Sequence, residues 1–128
     1  MIIRNEQKED ICIVEELIRN AFWNIHVPGA TEHFMAHQIR THKDFVNELN
    51  MVAEIEGKIV GSIMYTSGKL ICEDGTIKKC LSFGPLAVHH DYQRKGIGRA
   101  LIETTLETAK EYDKVFPYKE KKILRCQE

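Results

Sequence analysis

The sequence has almost no net charge with which to attract a polyanion. Its 128 residues hold 18 Lys and Arg against 19 Asp and Glu, a balance that excludes the broad electrostatic pull of a nucleic-acid or anionic-membrane binder. Any anion site must therefore be local. The chain also lacks an apolar run approaching ~18 residues, the length a membrane-crossing helix needs. Its first ten residues turn charged too early for a secretory leader, so the cytoplasm is the expected compartment, with no membrane and no nucleic acid as partner. Cys12, Cys72, Cys80 and Cys126 stand 60, 8 and 46 positions apart. None forms the two-residue-spaced pair of a zinc ribbon or a redox motif, and the four read as reduced thiols. Internal repeats and low-complexity linkers are absent as well. What is present, 43% hydrophobic and 29% charged residues, fits one soluble globular domain. At this length folding buries roughly two-thirds of the surface the unfolded chain exposes, which suffices for one core.

Ile2 and Ile3 open a short strand. From about Glu9, the apolar residues Ile11, Val14, Leu17, Ile18, Ala21 and Phe22 recur at helical spacing. Pro28-Gly29 marks a turn, and Thr31 is placed to cap a second helix carrying Phe34 and Ile39 and extending toward Phe45, Val46 and Leu49. Residues 51–55 and 58–65 are β-rich runs split by Glu56-Gly57, the pattern of a hairpin. Ser67-Gly68 and Glu73-Asp74-Gly75 then punctuate the chain. A further strand over residues 77–88 contains Gly84-Pro85, and a proline there removes a ladder donor and predicts a bulge or bend. A last helix carries Ile97, Leu101, Ile102, Leu106 and Ala109. The order predicts a mixed α/β fold, a mainly antiparallel sheet flanked by helices.

The stretch with chemistry in it runs Leu86-Ala87-Val88-His89-His90-Asp91-Tyr92-Gln93-Arg94-Lys95-Gly96-Ile97-Gly98-Arg99: an apolar strand, a basic glycine turn and the start of an amphipathic helix. Backbone N–H groups in a helix's first turn lack intrahelical partners and sit at the positive end of the dipole. Glycines let a pyrophosphate approach that backbone closely. Gly96 and Gly98 suit that role, and Arg94, Lys95 and Arg99 put three cations around it. Taken alone, a Gly-x-Gly with a solvated basic rim is equally a plain helix start. A dinucleotide fingerprint wants a small residue where Leu101 stands, and a P-loop wants Lys followed by Ser or Thr after its second glycine, so neither fits.

Gln93-Arg94-Lys95-Gly96-Ile97-Gly98, following a strand that ends Leu86-Ala87-Val88, closely resembles the acetyl-CoA signature Gln-x-x-Gly-x-Gly of the GNAT N-acetyltransferase superfamily. Residues 2–5, 9–22 and 54–65 resemble its first strand, first helix and central hairpin, so the likeness covers roughly residues 1–112. The resemblance implies an acyl-CoA N-acyltransferase-like fold with acetyl-CoA as co-substrate and an amine acceptor, the primary amine of a small molecule or peptide. It implies that the backbone amides of residues 94–99 hold the pyrophosphate and that the strand edge at Leu86, Ala87 and Val88 pairs with the pantetheine arm. A bulge at Gly84-Pro85 suits this independently, since it leaves strand N–H groups to polarise a thioester carbonyl.

Only residues 113–128 remain after the last helix, whereas the family's remaining strands and helix need on the order of 40 residues. The sequence therefore predicts a domain over residues 1–112, C-terminally incomplete, followed by a charged tail with no fifth strand. The uncovered edge of the fourth strand would then invite a homodimer. It also raises an alternative function, an acyl-CoA-binding or assembly module without catalytic activity because half of the cofactor slot is missing. Among side chains, Glu54 is the carboxylate to test as the amine-deprotonating base, with an ordinary exposed strand residue as the bland alternative. His89 and His90 titrate near neutrality but read as surface-loop residues. His33 and His37, four apart, lack cysteine or carboxylate partners at ligand spacing, so no metal is expected. Tyr118 matches no motif and is given no catalytic role.

Overall fold

A computed structural model describes residues 1–25, 28–109, 114–117 and 125–126. Strand β1 (Ile2–Asn5) leads through a 3-10 turn into α1 (Ile11–Phe22), then α2 (Glu32–Arg40). Three strands come next, β2 (Met51–Ile55), β3 (Lys58–Cys72) and β4 (Ile77–Val88), then α3 (Ile97–Thr108), β5 (Lys114–Pro117) and β6 (Arg125–Cys126). The sheet order is β1-β2-β3-β4-β5, antiparallel as far as β4. β5 lies parallel to β4, and β6 pairs with the far end of β3. This is the mixed, mainly antiparallel architecture the sequence predicts.

The β2–β3 connection is the expected tight hairpin: Glu56 and Gly57 both have positive φ, 49° and 79°, as a two-residue turn matching strand twist requires. Helices α1 and α2 pack on one face, where Val14, Ile18 and Ala36 are fully buried with Val52 and Met64. Helix α3 packs on the other, where Ile97 and Leu101 meet Val60, Ile63 and Leu81. It sits close because β3 offers Gly61. A Cβ there would stand 2.9 Å from Ile97 Cγ2 and 3.1 Å from Leu101 Cδ1. On the same face Tyr65, fully buried, shares a hydrogen bond with Thr105 Oγ1 at 2.5 Å, and the Thr105 hydroxyl also lies 2.8 Å from the Leu101 carbonyl. Burial pushes the Tyr65 phenol up, against the lowering effect of that hydrogen bond. On the opposite face Arg40 forks onto Glu6 at 3.0 and 3.0 Å and reaches Glu15, tying α2 to α1.

Three expectations are corrected. The second helix stops at Arg40, since Phe45 pairs in a β-bridge with Thr66 and residues 47–49 form a 3-10 turn. Thr31 precedes α2 without making a side-chain cap. Ser67-Gly68 does not end a strand, because cross-strand pairing continues from Ser67↔Leu81 to Ile71↔Ile77.

A fourth correction bears on function. Lys114–Pro117, inside the segment expected to be a charged tail, is a strand paired to residues 80–83 of β4. Parallel neighbours need a crossover connection, usually a helix, and α3 supplies it. Proline at the end of the strand is compatible with its short length.

Candidate functional site

The site begins where β4 loses a partner. Phe83 pairs with Tyr65 on β3, while Leu86 pairs with Ile63, so β4 carries one extra residue at Gly84-Pro85 and bulges there, as predicted. β5 accompanies β4 only as far as Phe83. Beyond the bulge Leu86, Ala87 and Val88 keep β3 on one side, at Ile63, Ser62 and Gly61, and have no described strand on the other. Strand backbone without a neighbour presents N–H and C=O groups to whatever lies alongside.

That open edge runs directly into the glycine turn. His89 N–H closes the ladder on the Val60 carbonyl at 2.8 Å, and Tyr92 N–H bonds the His89 carbonyl at 2.9 Å. Gln93 then turns its side-chain amide back onto the Val88 carbonyl at 3.2 Å. Arg94 and Gly96 both take left-handed φ values, 62° and 81°. Glycine adopts that conformation at no steric cost, whereas for arginine it carries a strain of about 1 kcal/mol. Helix α3 starts at Ile97 with no side-chain cap, and its first described helical bond runs from Ala100 N–H to the Gly96 carbonyl at 3.0 Å. The amides of Ile97, Gly98 and Arg99 thus have no intrahelical acceptor and stand at the positive end of a 12-residue helix. Gly98 faces the same edge. A Cβ there would lie 3.7 Å from Val88 and 3.8 Å from Leu86, ordinary contact distances, so packing alone does not demand a glycine.

The structure therefore brings Leu86, Ala87, Val88, Gln93, Arg94, Lys95, Gly96, Ile97, Gly98 and Arg99 together at one end of β4. Their cations are distributed otherwise than the sequence suggests. Arg99 lies back along its helix and donates to Glu103 at 2.9 Å. Lys95 stays at the turn with its Nζ 5.4 Å from the Tyr92 ring centroid, and Lys58, the first residue of β3, brings a second ammonium to within 5.7 Å of the same ring. Sequence reasoning missed Lys58 because it stands 37 positions before Lys95. Only the register, which starts β3 where β4 ends, places it there.

Glu54 is not brought to the bulge. It pairs with Ile59 near the start of β3, and its carboxylate lies 3.7 Å from Arg4 Nε. The bulge lies opposite Met64, five residues farther along β3, a distance of about 16 Å at strand rise. Arg4 also grips Asp10 at 2.7 and 3.2 Å. That hydrogen bond, with a second from Gln7 N–H, holds the Asp10 carboxyl below the usual range against the opposing effect of burial. Arg4, Asp10, Glu16, Glu54, Lys58 and His89 line a cleft of about 440 Å³ beside α1. His89 Nδ1 accepts from Asp91 N–H, and His90 Nε2 donates to the Asn20 carbonyl at 2.7 Å, so both histidines serve the loop that links β4 to α3. His37 bonds Glu15 at 2.9 Å. Among the described residues no three His, Cys, Asp or Glu side chains converge as a metal site, and no helix is long and apolar enough to cross a membrane. Tyr118 lies outside the described residues.

Residues 18–116 match the model of the acetyltransferase (GNAT) family. No curated protein sequence matches the chain. Among solved structures, the chain is 27% identical to a GNAT family acetyltransferase from Brucella melitensis in complex with acetyl-CoA. That match has a TM-score of 0.72 and covers 85% of this chain and 68% of the other. An aminoglycoside acetyltransferase from an uncultured soil metagenomic sample, in complex with sisomicin, is 26% identical with a TM-score of 0.61, covering 94% and 78%. A GNAT family N-acetyltransferase from Escherichia coli in complex with CoA shares the fold at 22% identity and a TM-score of 0.70, covering 89% of this chain and 59% of its own.

Proposed function

Because this chain belongs to the acetyltransferase (GNAT) family, enzymes whose acyl donor is acetyl-CoA, we propose that it transfers the acetyl group to a primary amine of a small molecule or peptide. The observation that carries this reading is the continuity of the open β4 edge with the uncapped glycine turn of α3. The edge offers main-chain groups at Leu86, Ala87 and Val88 to the amides of a pantetheine arm. The amides at the start of α3 suit a pyrophosphate. The bulge at Gly84-Pro85 would bring the thioester carbonyl to strand N–H groups outside the ladder, where oxyanion stabilisation needs donors.

The chemistry then proceeds in balanced steps. A neutral amine attacks the thioester carbon, the C–N bond forms and negative charge develops on oxygen. Collapse breaks the C–S bond, CoA leaves as thiolate, and the proton lost by the amine balances the one the thiolate takes up. As acceptor, a small polyamine has a specific relative behind it, the aminoglycoside acetyltransferase crystallised with sisomicin. The reaction belongs in the cytoplasm, where the sequence is expected to reside.

The alternative of a donor-binding module without activity drew its support from a missing fifth strand, and β5 is present beside β4. Calorimetric titration with acetyl-CoA followed by thiol-release assays over a panel of amines separates the two. The proposal expects binding together with release of CoA on adding at least one primary amine. Tight binding with no turnover across small-molecule and peptide amines would favour the module, and no binding would overturn both.

A further inference from the structure

Lys58 and Lys95 come from different elements, the start of β3 and the turn before α3, and both approach one ring. Their ammonium groups lie 5.7 and 5.4 Å from the Tyr92 centroid. Tyr92 is half-buried and held in place by its N–H bond to His89 and an edge-on contact with the His89 ring at 5.6 Å. An aromatic face attracts a cation, and Tyr92 has two within reach, supplied by residues far apart in the chain.

Of the carboxylates that line a cleft with Lys58, Asp10 and Glu54 face Arg4, and Glu103, on α3, holds Arg99. No carboxylate among the described residues lies within salt-bridge distance of Lys58 or Lys95. The turn that carries Lys95 is strained at Arg94, whose φ is 62°, and such strain clusters at ligand clamps. A multiply charged anion bound beside Tyr92 would draw on both ammonium groups.

We propose that Lys58 and Lys95 form a phosphate clamp for the CoA donor, in which Lys58 is a binding residue outside the glycine motif. The proposal rests on the donor-site reading of the β4 edge and the α3 turn. It deepens that reading by assigning a phosphate contact to the start of β3. The donor carries a pyrophosphate and a 3′-phosphate, and Lys58 is exposed, so substitution there leaves the core intact.

The test titrates CoA and 3′-dephospho-CoA calorimetrically into the wild-type chain, Lys58→Gln and Lys58→Arg, at low and high salt. Lys58→Gln is expected to weaken CoA about five-fold at low salt, a difference that shrinks as salt screens the contact, and Lys58→Arg is expected to restore affinity. If the loss disappears with 3′-dephospho-CoA, the clamp holds the 3′-phosphate. If it persists, the clamp holds the pyrophosphate. Wild-type affinity for CoA in Lys58→Gln at both salts would overturn the clamp, as would a salt-independent loss shared by Lys58→Arg. A wild-type chain that does not bind CoA would instead overturn the donor site itself.

Discussion

At the scale of single residues, the two glycines of the turn differ in what a side chain would meet there. Gly96 needs its left-handed backbone, φ 81°, and a Cβ there would touch nothing within 4 Å. Gly98 has ordinary helical surroundings, and a Cβ would be accommodated beside Val88 and Leu86. What Gly98 keeps open is the space between the start of α3 and the β4 edge. Gly98→Ala should therefore fold at least as stably as the wild type, given alanine's better helix propensity. Gly98→Leu should lose CoA affinity by at least about ten-fold, equivalent to about 1.4 kcal/mol. Unchanged affinity in the leucine variant would remove the phosphate role from this turn.

Asp10 gives a prediction in pH. Its carboxyl is held below the usual range by Arg4, so its contribution to stability is fully present above the ordinary carboxylate pKa of about 4 and is lost as pH falls through the lower folded value. Thermal melts of the wild type from pH 7 downward should fall more steeply in the acid range than those of Asp10→Asn. Parallel curves would show that the Arg4–Asp10 pair contributes nothing measurable.

At the scale of elements, the site is a seam between β4, its bulge and α3, and the seat of α3 on β3 sets its geometry. Gly61 lets the helix approach, because a methyl at that position would meet Ile97 Cγ2 at 2.9 Å. Gly61→Ala should destabilise the fold by about 1–3 kcal/mol through overpacking. It should also weaken CoA binding, since the same shift displaces the first turn of α3. A melt unchanged to within a degree would show that the helix has room to spare.

The hairpin at Glu56-Gly57, the bulge at Gly84-Pro85 and the glycine turn could be read from sequence because each depends on local backbone chemistry. The end of α2 could not, because Phe45 and Val46 carry a helical-looking apolar pattern that tertiary pairing uses in a bridge to Thr66. Nor could β5, a four-residue strand inside a charged stretch, whose pairing depends on α3 carrying the chain back beside β4. Lys58 reaches Tyr92 through strand register rather than through any spacing along the chain.

At the scale of the whole molecule, near-zero net charge with Lys58 and Lys95 beside Tyr92 suits the small-anion site proposed above better than a polyanion. A second copy pairing along residues 86–88 would occupy the backbone groups proposed above for the pantetheine arm, so such a dimer and the donor would exclude each other. In sedimentation, a homodimer formed through this edge should dissociate when CoA is added. A dimer that persists with CoA bound must use another surface.

In the proposed function, main-chain amides at the β4 edge and the α3 turn hold the donor, and amide hydrogen exchange reads those amides directly. On adding acetyl-CoA, new protection is expected in residues 86–88 and 94–99, with little change at β1 or α2. Donor binding without protection in either segment would contradict it.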